Sequence, residues 1–392
     1  MTANELPAPE PIIEAKNLPL VNQKAVPTSR LTMIDVAKGV GILLIVFGHD
    51  PYFGPRLPEL QETLRGIRMP FFFFLSGVTF SMGNRSLGQL AFLRADAWLK
   101  PYVLTALIFG LMNIYLDQTA TFESVAVGII FGTGFTVSPT ALWFLPHLWL
   151  LYISAGALLI SAKSIFAHPA VRILVVVAML TAGSFITDNF DSRPDNPLRW
   201  LPTGFDERLF SLGFPFSADL LPITLAYFLM GNFLSQQAKQ YRFNLVHAGI
   251  AALIIVALRC GLDHSMDLNY RRYDHIVTTT MLAIAGIYLF LAVSSLLSTI
   301  KHVSDTLIFI GRGSLFILLF HMPMLYKLPL LLGQFVRLSF PWYVLIFFMS
   351  VVGPLILWQV AKRYRLTRLL FLPALRLSKK SPVSESARAG AV

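Results

Sequence analysis

One apolar stretch near the start of the chain constrains its fold more than any other feature. Residues 34–49, IDVAKGVGILLIVFGH, are apolar enough to span a bilayer, yet they include Asp35, Lys38 and His49. An eleven-residue step joins Lys38 to His49, so a helix brings both side chains to within about 20° of one face, about 16 Å apart along its axis. Ionisable groups in a spanning helix are costly unless they face a bundle interior or a water-filled cavity.

This polar face has two interpretations. In the first it is a functional site, in which Asp35 neutralises Lys38 one turn away. In the second, Asp35 and Lys38 lie at the level of the lipid headgroups and His49 caps the far end of the helix.

The composition indicates a polytopic membrane protein, because 55% of the 392 residues are hydrophobic and only 14% are charged, with a mean hydropathy of +0.64. A soluble chain carries nearer a quarter charged residues. We predict an all-α transmembrane helical bundle of about ten spans. The predicted spans are residues 34–49, 67–83, 101–116, 142–160, 171–186, 220–234, 243–259, 276–297, 307–325 and 342–360. Residues 122–137 are short and glycine-rich, which favours a re-entrant or peripheral segment.

An even number of spans places both termini on one side of the membrane. Four basic residues between the spans then fall on the same side as the tails, which the positive-inside rule makes cytoplasmic; they are Lys163, Lys239, Arg242 and Lys301. We therefore expect a multi-pass membrane protein with both termini cytoplasmic. The opposite side receives segments 187–219 and 261–275. The first mixes acids, arginines and aromatic residues, so it is either a solvated loop or a surface that grips a carbohydrate or another polar substrate.

Three regions are predicted along the chain. Residues 1–30 are proline-rich and form a disordered cytoplasmic tail, residues 31–362 form the transmembrane domain, and residues 363–392 form a basic cytoplasmic tail. The net charge of +11 is better explained by contact with anionic membrane lipids than by nucleic-acid binding. Cys260 is the single cysteine, which excludes an intrachain disulfide and a multi-cysteine metal site.

Several basic residues are candidates for catalysis or for binding an anionic donor. A histidine at the end of a span, such as His49, can act as a general base near neutral pH and accept the proton of a sugar hydroxyl that attacks an acyl group. Lys38, on the same helix face as His49, can bind anionic phosphates or balance charge along that face. Arg94, Lys100 and Arg312 at the cytoplasmic edge can grip the phosphates of a nucleotide-like donor, although the positive-inside bias explains them equally well.

A second group lies towards the outer side. Arg68 is a candidate substrate contact or an interfacial anchor, and Trp143 and His321 are further candidates on the acceptor side. His321 also stands near a proline, so it equally well satisfies a backbone carbonyl. His147 stands beside a proline, and we interpret it as satisfying a backbone carbonyl. The sequence has no phosphate-binding glycine loop, zinc signature or GxSxG elbow, so no metal or permanently bound cofactor is predicted, and Ser76 is a packing position.

Four motifs occur in the order IDVAKGVGILLIVFGH, MPFFFFLSG, LWFLPHLW and IGRGSLFILLFHMP. On these motifs the chain resembles the acyltransferase-3 family of bacterial integral-membrane acyltransferases, in particular its fucose 4-O-acetylase-like branch, over roughly residues 30 to 360. The resemblance implies that His49 is the catalytic histidine, that Lys38 is its required basic partner, and that the protein lies in the bacterial inner membrane. Asp35 is added to the predicted catalytic group because of its spacing to Lys38. The chain departs from the family pattern at Arg68, where members often have histidine, and at Ala97, where many have a second arginine after Arg94.

The resemblance further implies acyl-CoA, usually acetyl-CoA, as a cytoplasmic co-substrate, and a hydroxyl of a surface or secreted carbohydrate or glycolipid as the acceptor. The expected enzyme is thus an O-acetyltransferase. Two alternatives stay open: a succinyl transferase of the same fold, and a carbohydrate or lipid transporter or flippase that uses the intramembrane charges to hold its cargo.

Overall fold

A computed structural model of the chain describes residues 28–118, 120–190, 213–261 and 265–374. These residues form a helical bundle with a single two-stranded hairpin, which confirms the predicted all-α polytopic fold. Most of the predicted N-terminal tail, most of segment 187–219 and the end of the C-terminal tail lie outside the described residues.

The helices follow one another through short connections. In chain order they are α1 Thr28–Gly48, α2 Pro58–Thr79, α3 Leu87–Arg94, α4 Lys100–Met112, α5 Phe122–Phe131, α6 Phe144–Ser161, α7 Pro169–Phe190, α8 Leu221–Phe233, α9 Ser235–Lys239, α10 Leu245–Gly261, α11 Ile276–Leu297, α12 Lys301–Arg312, α13 Ser314–Leu332, α14 Phe340–Arg363 and α15 Arg365–Phe371. The strands β1 Ser265–Asp267 and β2 Arg272–Asp274 pair antiparallel, with Met266 opposite Tyr273.

Seven helical segments of the described chain are long and apolar enough to cross a membrane; they are Leu87–Leu116, Thr140–Ser161, Pro169–Phe190, Pro215–Phe233, Ile276–Leu297, Ser314–Leu332 and Phe340–Arg363. The predicted count of ten is not confirmed. Helices α1 and α2 contain 21 and 22 residues, so each is roughly as long as the 30 Å hydrocarbon layer is thick. Helix α5 has ten residues and reaches only about half of that thickness, as expected of a segment that does not cross.

The predicted span 307–325 is divided in the structure. Helix α12 ends at Arg312, and α13 begins at Ser314. Gly313 between them packs against Leu355 and Trp358 of α14, where a larger residue would collide. Hydropathy alone does not reveal such a break, because the apolar run continues through it.

Glycine brings the central helices into backbone contact. A side chain on Gly77 of α2 would meet the carbonyl of Phe228 in α8, and one on Gly231 of α8 would meet the carbonyl of Phe74 in α2. A similar contact joins Gly39 of α1 to the carbonyl of Leu307 in α12. Small residues allow this close approach, which replaces the hydrophobic driving force that is missing between helices in lipid.

Contacts between loops and helix ends define one end of the bundle, here called the His49 end. Tyr52, just after α1, stacks on Tyr343 in the first turn of α14 with ring centroids 3.8 Å apart. Arg65 of α2 lies 3.6 Å from Asp267 of the hairpin. Since α1 ends here and the 24-residue α14 begins here, the start of α1 and the end of α14 lie together at the opposite end, here called the Lys38 end.

Candidate active site

His49 follows the last residue of α1, where its amide N–H donates to the carbonyl of Val46 at 3.1 Å and closes the final turn. The next residue, Asp50, is buried and accepts the amide hydrogens of Tyr52 and Phe53, both at 2.8 Å. This turn fixes the direction of the chain after the helix. It places the His49 ring 5.4 Å from the ring of His321 in α13, measured between centroids.

The hydrogen bonds of His321 define its tautomer. Its Nδ1 lies 2.7 Å from the carbonyl oxygen of Ile317 and 3.2 Å from that of Leu318. Carbonyl oxygens only accept hydrogen bonds, so Nδ1 must carry the ring hydrogen. When the ring is neutral, Nε2 then has a lone pair and can only accept. That Nε2 is buried and has no hydrogen-bond partner among the described residues.

Arg68 approaches the same place from α2. Its guanidinium packs against Gly48, the residue before His49, so closely that a side chain at position 48 would overlap Nη1. The Nη1 atom is buried and has no hydrogen-bond partner in the described chain. A buried unpaired donor on a cation is costly. Arg68 and His321 therefore offer one unused donor and one unused acceptor close to His49.

Lys38 and Asp35 lie towards the other end of α1. Their side chains form the expected ion pair at 3.0 Å, and each is 38% exposed. Lys38 lines a cavity of about 240 Å³ whose walls are mainly apolar. Leu318 of α13 also lines it, and His321 follows Leu318 by one helical turn, roughly 4–5 Å along the axis. The cavity thus extends from the Lys38 end towards the histidine pair.

Arg94 is held at the wall of this cavity. Its guanidinium lies 5.0 Å from the ring of Trp98 and 4.9 Å from the ring of Tyr152, and both rings line the cavity. Arg94 immediately precedes a π-helical turn, Ala95–Leu99, between α3 and α4. Such turns often occur at functional sites, and this one sets Arg94 and Trp98 against Tyr152 of α6.

The other two predicted donor contacts are placed differently. The Lys100 ammonium lies 2.6 Å from Asp96 and donates to the carbonyl of Leu372 at 2.8 Å. The second carboxylate oxygen of Asp96 accepts the amide of Ala374 at 2.6 Å, so this pair clamps the chain after α15 to the bundle. Arg312 is exposed at the end of α12, two residues before the cavity residue Ser314.

Trp143 and His147 lie in the core rather than beside His49. The Trp143 ring is 5.6 Å from the His147 ring. His147 contacts the carbonyl of Phe216 through Nδ1 and the hydroxyl of Thr224 through Nε2, each at 3.0 Å. Its two nitrogens are therefore occupied, and its contact with a backbone carbonyl at an irregular segment confirms the structural interpretation of this histidine.

Sequence reasoning missed a buried ion pair near the His49 end. Arg271 and Asp219 are 1% and 0% exposed in their side chains and lie 2.9 Å apart. Arg271 also donates to the carbonyl of Asn269 at 2.8 Å, and Asp219 accepts the amide of Phe214. The pair joins the hairpin to the start of α8. Both residues appeared in the sequence as members of polar loops, and no spacing connected them.

The chain was compared with known proteins. A family model described as an acyltransferase domain matches residues 32–359, which include every helix from α2 to α13 and all the candidate residues. No curated protein and no solved structure matches the chain significantly.

Proposed function

The chain belongs to the acyltransferase-3 family and is a membrane acyltransferase, and from this premise we propose that it transfers an acetyl group from cytoplasmic acetyl-CoA to a hydroxyl of a surface or secreted carbohydrate or glycolipid. In this proposal the protein lies in the bacterial inner membrane, with both termini cytoplasmic and the basic C-terminal tail near anionic lipid. The fucose 4-O-acetylase-like branch stays a prediction.

One observation carries the proposal: a mainly apolar cavity begins beside the half-exposed Lys38 and runs to Leu318, one helical turn before His321, whose ring lies beside that of His49. Lys38 marks the mouth of this cavity, and Arg312, exposed two residues before the cavity residue Ser314, adds a second positive charge at the same end. An acyl transfer between a donor on one side of the membrane and an acceptor on the other needs this combination.

The cavity suggests how the donor would lie. A mainly apolar cavity of about 240 Å³ suits the acyl group and the thin pantetheine arm of acyl-CoA better than its charged nucleotide. The phosphates would then remain at the mouth, where Lys38, Arg94 and Arg312 supply positive charge. In this arrangement Lys100 acts indirectly, since its ammonium is engaged by Asp96 and Leu372.

The reaction follows from the residues at the His49 end. His49 takes the proton of the acceptor hydroxyl as its oxygen attacks the thioester carbonyl carbon. The carbon–sulfur bond breaks, the acyl group stays on the acceptor oxygen, and the CoA thiolate leaves and takes the proton from the His49 imidazolium, which restores the neutral base. The unpartnered Nη1 of Arg68 is a donor for an acceptor oxygen or for the negative charge that develops on the carbonyl oxygen. Trp143 remains a candidate for the wider acceptor surface.

The test is a mass profile of surface and secreted glycans from cells that carry the wild-type protein, the His49→Ala variant or no protein. We expect the wild type to add one acyl mass to a glycan and the His49→Ala variant to add none, because the general base is lost. His302→Ala is the matched control, since His302 is exposed on α12 and should behave as wild type.

Other outcomes are equally clear. Near-normal acylation by a His49→Ala protein would remove His49 from the mechanism. A succinyl mass would keep the enzyme class and change the donor. Loss of the glycan, or its accumulation unmodified inside cells that lack the protein, would favour a transporter.

A further inference from the structure

We propose that His321 is the positioning residue of His49, and this inference rests on the proposed function. In this arrangement Nε2 of His321 accepts a hydrogen bond from the ring N–H of His49. The other ring nitrogen of His49, which carries the lone pair, is thereby turned towards the acceptor hydroxyl.

The first support is the fixed tautomer of His321. The carbonyls of Ile317 and Leu318 both lie at Nδ1, so the neutral ring presents a lone pair and no hydrogen at Nε2. A hydrogen-bonded nitrogen on one side of an imidazole sets the role of the nitrogen on the other side. His321 is therefore an acceptor of known direction in the core of the bundle.

The second support is the unused state of Nε2. His321 is fully buried, and Nε2 has no partner among the described residues. Buried polar atoms are normally satisfied, and one left open calls for an explanation. The His49 ring lies beside it, 5.4 Å away between centroids and tilted by 50°, so a rotation of the His49 ring brings an N–H to Nε2.

The third support is the geometry around His49. Its backbone is held by the bond to Val46 and by the Asp50 turn, but these contacts leave the ring free to choose its tautomer. A general base works best when a third group orients it, as in nucleophile–base–orienter sites. His321 is the side chain whose ring contacts that of His49 in the described structure.

A merely structural role for His321 would be to satisfy the two carbonyls of α13. Two substitutions separate that role from the proposed one. In His321→Asn the side-chain amide nitrogen replaces Nδ1 and can still donate to Ile317, but no atom replaces Nε2. In His321→Gln the longer side chain can place its amide oxygen near Nε2 and restore the acceptor.

The experiment measures transfer of radiolabelled acetyl from acetyl-CoA to the endogenous acceptor in membranes from the producing cells. Acetyl-CoA concentration is varied, and the amount of each variant is normalised by immunoblot and gel filtration. We expect His321→Asn to lower the maximal rate by about 10–100-fold, as orienting partners do at other sites, with an unchanged KM for acetyl-CoA. His321→Gln should recover part of the rate.

Each result decides the question. A wild-type maximal rate in His321→Asn, or equal losses in the asparagine and glutamine variants, would overturn the positioning role while wild-type transfer upheld the acyltransferase. Absence of acetyl transfer by the wild type itself would overturn the proposed function and the positioning role with it. If the asparagine variant does not accumulate, the glutamine variant decides: transfer above a tenth of the wild-type rate supports the role, and none from a folded protein contradicts it.

Discussion

Lys38 combines a structural ion pair with a position on the cavity wall that suits its proposed role in donor binding. Its ammonium is paired with Asp35 at 3.0 Å, yet the side chain is 38% exposed and lines the cavity. We expect Lys38→Ala to raise the KM for acetyl-CoA about tenfold, because a charge-assisted hydrogen bond to phosphate contributes about 1.5–3 kcal/mol. Initial rates of acetyl transfer over a range of acetyl-CoA concentrations measure this change.

Lys163→Ala is the control for Lys38→Ala, since Lys163 is an exposed lysine after α6 and is not part of the cavity wall. Its KM should match that of the wild type. Unaltered kinetics in Lys38→Ala would remove Lys38 from the donor site.

At the residue scale, the sequence predicted contacts between side chains that lie one turn apart on the same helix. The Asp35–Lys38 pair follows from a three-residue step and is present in the structure. The contact of His49 with His321 and the clamp of Lys100 on Leu372 join residues 272 positions apart in each case. Because such contacts depend on how whole helices pack, no local pattern could assign His321 to His49 or Lys100 to the C-terminal segment.

At the element scale, α2 and α8 depend on glycine for their close approach. Gly77→Ala would place a methyl group against the Phe228 carbonyl, and a backbone atom cannot move aside without shifting its helix. We expect overpacking to cost about 1–3 kcal/mol and to lower the melting temperature in detergent. Thermal aggregation followed by gel filtration measures it.

Gly249→Ala in α10 is the matched control, because a methyl group there meets nothing within 4 Å. Alanine is favoured over glycine in a helix by about 1 kcal/mol, so this variant should be as stable as the wild type or more so. Equal melting temperatures for Gly77→Ala and Gly249→Ala would show that the α2–α8 contact tolerates separation.

Hydropathy predicted where the long helices lie, but it did not predict where they are interrupted or change their hydrogen-bonding pattern. Apolar runs are long enough to identify α6, α7, α11 and α14, because the bilayer selects for composition over about 20 residues. The division at Gly313 and the π-helical turn Ala95–Leu99 were not predicted. Both are local changes in backbone hydrogen bonding, which a hydropathy average over about 20 residues does not resolve.

At the scale of the whole molecule, the contacts place the start of α1 and the end of α14 at one end of the bundle. The stacking of Tyr52 on Tyr343 places these two helix ends together without reference to a membrane. An even number of membrane crossings would likewise leave both ends of the chain on one side. The charge pattern then predicts that this end is cytoplasmic, and the His49 end would face outward.

Cys260 offers a direct test of that orientation, because it is the only cysteine of the chain and is exposed in the last turn of α10. Arg259 beside it pairs with Glu59 in the first turn of α2, which places Cys260 at the His49 end. We expect a membrane-impermeant maleimide to label Cys260 in cells whose outer membrane is permeabilised, and to leave it unlabelled in sealed inverted vesicles.

The converse test uses Arg242→Cys in a Cys260→Ser background. Arg242 is exposed before α10, at the other end of the bundle, so the cysteine introduced there should be labelled only in inverted vesicles. Labelling of Cys260 from the cytoplasmic side alone would reverse the predicted orientation, and acetyl-CoA would then have to reach His49 from the end that carries the hairpin rather than through the cavity beside Lys38.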